Sequence, residues 1–237
     1  ACIVPIEAIA FLAGKIREAF TKLGADSNAF TSFTKTSYLF STSDNVAECL
    51  DLLDELVTCF NVTEESVERE KDIIQQEREM YQDDPDYRVY LGCLRSLYPN
   101  TILGEDIAGS LDSIEKITVK DLKDNFDYFY RPENCHLVLV GDFDVDEIYS
   151  VVKESQSKLT SKQIFVEKEK SPIKANIQKL DSLQMEVSIS KLAIGFKSTP
   201  FSDNRMRDTL LVQLLFNLLF GWTSPYYQNW YAEGKVD

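Results

Sequence analysis

A chain of 237 residues with 44% hydrophobic content can bury one large core or two small ones. Its 39 acidic against 25 basic residues (net charge −14) weigh against nucleic-acid binding, which needs a clustered positive surface; an acidic cleft would favour cationic or basic peptides, although a solvated surface is the commoner reason for such a charge. Five scattered cysteines (Cys2, Cys49, Cys59, Cys93 and Cys135) without C-x-x-C spacing favour buried thiols in a reducing, cytoplasmic setting over a disulfide frame or zinc ribbon, and no apolar run is long enough to span a membrane.

In chain order, Ile6, Ile9, Ala13, Ile16, Phe20 and Leu23 fall at helical spacing, so a helix is predicted over 5–23 with Gly24 as its stop. The Thr-, Phe- and Tyr-rich stretch "AFTSFTKTSYLFS", 29–41, predicts one long strand or two consecutive ones. Ser43 or Asp44 should cap a helix that places Val46, Leu50, Leu53, Val57 and Phe60 on one face. Thr63 should cap a charge-rich helix that ends near "DDPD", where Pro85 cannot continue it. Helices are further predicted over 86–98, 118–130 (with Thr118 as cap) and 145–158. The apolar runs 136–143, "HLVLVGDF", and 186–198, "EVSISKLAIGFKS", have strand character. The polar stretch around 160–180 reads as a linker or exposed hairpin, and "LLVQLLFNLLF" at 210–220 as the centre of a buried helix spanning 204–220.

Strands interrupted by several helices predict an α+β fold, with a mixed or antiparallel sheet flanked by helices. We expect a first subdomain over 1–160, the polar linker over 161–183, and the beginning of a second subdomain over 184–237. The start at Ala1 and the stop at Asp237, directly after a helical pattern, lead us to expect a cut at one or both ends.

Chemistry concentrates on the charge-rich helix. Val67, Ile74 and Tyr81 recur every seven residues, and Glu70 and Glu77 fill the intervening positions of the same 3-4-3-4 stripe. Two carboxylates on an inward face need partners, and such a pair suits metal ligation or general-base work. A helix solvated all round is the other reading, since Glu64, Glu65, Glu68, Arg69, Lys71, Asp72, Arg78 and Glu79 share it. The single histidine, His136, leaves no two-histidine zinc site, and it reads as a structural residue beside a strand. No G-x-S-x-G elbow, P-loop or dinucleotide fingerprint is present.

The ordered blocks "GADSNAFTSFTKTSYLFS", "VEREKDIIQQEREMYQDDPDYR", "IAGSLDSIEKIT", "FYRPENCHLVLVGD" and "FGWTSPYYQNWYAEGKVD" resemble the pitrilysin/insulysin metallopeptidases. These are the inverted-motif zinc peptidases that include the mitochondrial processing peptidase, and the likeness is closest to their bacterial processing-protease-like branch. The resemblance implies that Glu77 stands in the third zinc-ligand position and Glu70 in the position supporting it. The H-x-x-E-H helix of active members aligns with "EAIAFLAGK", which puts Ala10, Ala13 and Gly14 where they carry histidine, glutamate and histidine. The segment between Lys15 and Ile16 is also shorter than usual. The resemblance further implies that an extended peptide adds along Asn28, Ala29, Phe30 and Thr31 by backbone hydrogen bonds, an ordinary sheet strand being the other reading of this stretch.

The resemblance, with these residues at the motif positions, implies a catalytically degenerate homologue with no cofactor of its own, zinc belonging to its active relatives. It would bind peptide and pair with a homologous active subunit or second homologous half. The alternatives are an active zinc endopeptidase whose histidine ligands are not represented in this sequence, and a structural or interaction protein. Family members continue beyond Asp237, so the apolar helix 204–220 is expected to lack part of its covering and this span to be poorly soluble alone.

Overall fold

The computed structural model describes residues 17–157, 176–199 and 201–236. They fall into two compact units, one extending to Gly195 and the other starting at Phe196.

In the first unit, an opening helical segment over 17–22 stops at Gly24, whose φ of 75° places it in the left-handed region that glycine adopts without strain. The Thr-rich stretch forms two strands. β1 (Asp26–Thr31) and β2 (Thr36–Ser41) pair antiparallel as a hairpin, with Asn28 opposite Leu39 and Ala29 opposite Tyr38. A bond from the Ser32 N–H to the Lys35 carbonyl (2.8 Å) closes the turn.

Helix α1 (Val46–Thr58) follows. The expected Ser43 or Asp44 cap is not used. Asn45 stands at the N-cap with φ 56° and no side-chain capping bond; its amide instead donates to the Leu23 carbonyl at 3.1 Å. The cap position is thereby set by a tie to the opening helix, which no local pattern encodes. Phe20, Ala25, Cys49 and Leu56 form the core between that helix, the hairpin and α1, with Tyr38, Phe40 and Tyr130 packed against it.

Thr63 caps α2 (Glu64–Asp83) in a reciprocal box with Ser66, and Pro85 opens α3 (Pro85–Leu97) at the position where its missing N–H costs nothing. Short helix α4 (Leu111–Glu115) and α5 (Val119–Phe129) carry boxes of the same kind at Ser110 and Thr118. A second core of Val67, Ile117 and Leu122 joins α2 to α5, with Phe60, Val62 and Val119 around it. Helix α6 (Val145–Ser157) is tied to α1 through Ser155 and Gln156, which both donate to the Asp54 carboxylate.

The two runs expected as strands are not strands among the described residues. Residues 136–140 take no regular secondary structure, and Val140 is 93% exposed. Residues 191–195 are likewise unladdered, although the segment approaching them lies along α3: Gln178 N–H donates to the Ser96 carbonyl (2.8 Å), and Lys191 pairs with Asp86 (3.1 Å). At Gly195 any Cβ would fall 2.6 Å from Cys93 Sγ and 2.7 Å from Leu97 Cδ1. An apolar run supplies strand propensity, but a strand exists only where a second backbone accepts its hydrogen bonds. Most of the linker expected over 161–183 lies outside the described residues.

The second unit contains α7 (Arg205–Phe220), capped by Asn204, and α8 (Pro225–Ala232), capped by Ser224. Phe216, Phe220 and Trp230 form a run of ring contacts between them, with Phe220 and Trp230 stacked at 6.0 Å. Asp208 accepts from the Phe201 and Ser202 N–H groups and the Ser202 hydroxyl (2.7–2.9 Å), clamping the loop before α7. The helix expected over 204–220 therefore forms, but within its unit it is not buried: Leu218 is 66% exposed. A helix apolar on every side needs neighbours all round, and this unit offers it chiefly one other helix.

Candidate functional site

Thr63 fixes where α2 starts and therefore which residues face inward. Val67, Glu70 and Ile74 are buried, Glu77 and Tyr81 half-buried, whereas Glu64, Glu65, Glu68, Arg69, Asp72 and Glu79 are exposed. The helix is amphipathic, and both carboxylates of the stripe lie on its packed side, Glu70 only 5% exposed.

One turn beyond Glu77, the Tyr81 hydroxyl donates to its Oε1 at 3.2 Å. Tyr81 packs on Tyr87 with ring centroids 5.0 Å apart, and the Tyr87 hydroxyl donates to Asp106 Oδ1 at 2.6 Å. Asp106 also accepts the Ala108 N–H (3.0 Å), and Arg78 Nε donates to the Gly109 carbonyl (3.0 Å). Burial, followed by the Asp106 carboxylate, pushes the Tyr87 phenol well above its ordinary range, so it stays protonated and donating. The i, i+4 spacing of Glu77 and Tyr81 was available in the sequence; the approach of Asp106 to Tyr87 was not.

The second candidate element is β1. Asn28, Ala29 and Phe30 are exposed and Thr31 half-buried. The Lys35 ammonium lies 5.4 Å from the centre of the Phe30 ring, and the Thr31 and Thr36 hydroxyls meet across the hairpin at 3.3 Å. The Ala29 N–H donates to Asn28 Oδ1 at 2.8 Å, a contact that sequence reading missed. Among the described residues, β1 pairs with β2 alone.

Ala10, Ala13 and Gly14 lie outside the described residues, but none of the three side chains carries a donor atom for a metal. His136 is exposed, and no group of three or more His, Cys, Asp or Glu among the described residues could hold a metal ion. Among the described residues, no donor set fits a catalytic zinc. Also among the described residues, no helix is long and apolar enough to cross a membrane.

Residues 11–110 match the family model described as insulinase (peptidase family M16), and residues 116–236 match that of the peptidase M16 inactive domain. YmfH of Bacillus subtilis (strain 168), described as an uncharacterized zinc protease, is 38% identical over 229 residues, which cover 94% of this chain and 54% of that protein. An uncharacterized zinc protease of Rickettsia felis (strain ATCC VR-1525 / URRWXCal2) is 28% identical over 86% of this chain and 49% of its own length. The crystal structure of an M16-like peptidase from Alicyclobacillus acidocaldarius superposes with a TM-score of 0.73 at 30% identity, over 96% of this chain and 56% of the other. The chain thus spans about half the length of the relatives it matches.

Proposed function

Because the chain belongs to the insulinase family of peptidases, M16, we propose that it is a catalytically degenerate member of that family. In this reading it acts as a non-catalytic subunit or half, holding extended peptide on the edge of β1 while a homologous zinc-bearing partner cuts. Its unpaired thiols suit the cytoplasm.

The observation that carries the reading is a mismatch between the packed face of α2 and the sequence at positions 10, 13 and 14. The face of α2 that the resemblance assigns to the third ligand packs inward, with Glu77 accepting from the Tyr81 hydroxyl, while the sequence carries alanine, alanine and glycine at positions 10, 13 and 14. One carboxylate position cannot replace a three-ligand set, and without the intervening glutamate no general base is left for water. Peptide addition to a strand edge needs backbone groups rather than special side chains, so it survives this loss.

The zinc-protease names of the relatives favour a second reading, an active zinc endopeptidase whose histidine ligands are not represented in this sequence. Incubating the chain alone with an extended, unstructured peptide separates the two. Degeneracy predicts no cleavage, together with slowed hydrogen exchange at the Ala29 and Thr31 amides. Chelator-sensitive cleavage by this chain alone would overturn it.

A further inference from the structure

The hydrogen bond from Ser32 N–H to the Lys35 carbonyl (2.8 Å) makes these two a hydrogen-bonded pair. Antiparallel pairs alternate, so Phe30 with Ser37 and Asn28 with Leu39 are the next bonded pairs along the hairpin. Ala29 and Thr31, opposite Tyr38 and Thr36, accordingly turn their backbone N–H and C=O groups away from β2, toward an edge with no strand partner among the described residues.

That edge is not bare. Asn28 Oδ1 accepts the Ala29 N–H at 2.8 Å, and both residues are exposed. An open row of backbone donors templates pairing with any passing strand, and proteins blunt such rows. Here a neutral carboxamide takes up one outward donor through a local contact that a competing carbonyl can replace.

We infer that Asn28 is a displaceable cap of the β1 edge: its carboxamide holds the Ala29 N–H until the carbonyl of an incoming extended peptide takes its place. This rests on the peptide-holding reading above and adds its gate. One neutral hydrogen bond is exchanged for another, and the released Asn28 side chain regains water and rotamer freedom, so the cap lowers affinity only modestly.

The test uses the 237-residue chain with Asn28→Ala and Asn28→Asp, and as probe an acetylated, amidated hexapeptide of alternating Thr and Val. In the free chain, Ala29 amide exchange should be about two- to tenfold faster in Asn28→Ala than in the native protein, and close to native in Asn28→Asp, which keeps the acceptor. The probe should bind Asn28→Ala about two- to tenfold more tightly than the native chain. Equal Ala29 exchange in native and Asn28→Ala chains, or unchanged or weaker probe binding by Asn28→Ala, overturns the cap. If the probe protects neither Ala29 nor Thr31 in any variant, the peptide-holding reading fails, and the free-state exchange comparison alone decides whether Asn28 caps the edge.

Discussion

The hydroxyls of Tyr38 and Tyr130 meet at 2.7 Å, joining the middle of β2 to the residue that ends α5, 92 positions later in the chain. Tyr130 stacks on Phe126 (4.9 Å), which contacts Phe60 (5.4 Å), so this one bond links the hairpin to the second core. Burial pushes the Tyr38 phenol up to about 12, the bond from Tyr130 partly offsetting the shift, and pushes Tyr130 higher still.

Both phenols are raised, so the unfolded chain ionises first. Their contribution to stability should be complete below about pH 10, the unfolded value, and drain away as pH rises toward 12. Tyr130→Phe should cost about 0.5–1.5 kcal/mol at pH 7 and flatten the alkaline loss. Urea titrations at pH 7, 10 and 11 measure both effects; equal pH slopes in native and variant chains would sink this account.

Glu70→Ala should destabilise by about 1–3 kcal/mol, because its side chain is buried on the packed side of α2. Glu79→Ala, on the exposed side of the same helix, should stay within about 0.5 kcal/mol. Thermal melts of the two variants compare them directly, and similar losses would contradict the assigned orientation of the stripe.

Metal analysis of the purified chain should find far less than one zinc per molecule, and Glu77→Ala should leave that value unchanged. A stoichiometric zinc lost on Glu77→Ala would instead overturn the degenerate reading.

Gly195→Ala should cost about 1–3 kcal/mol, since the added methyl must displace Cys93 Sγ and Leu97. The shift in urea midpoint measures this. Cys93→Ala, by opening the space, should recover part of the loss in the double variant.

By itself, the sequence determined the helical frame, the α+β class and the face that α2 presents. Thr63 and Thr118 cap where they were expected to, Pro85 separates α2 from α3, and Glu70 and Glu77 lie on the stripe read from their spacing. These features are local: a capping bond spans three residues and a helical face repeats within seven, so a short window contains all the interacting groups. The tertiary structure decided what pairs with what. It put the α1 cap at Asn45, brought Tyr38 to Tyr130 and Asp106 to Tyr87, left 136–140 outside any ladder, and left the apolar α7 exposed within its own unit. Each of those outcomes depends on which distant backbone or side chain supplies the partner, and hydrophobic pattern alone carries no address for it.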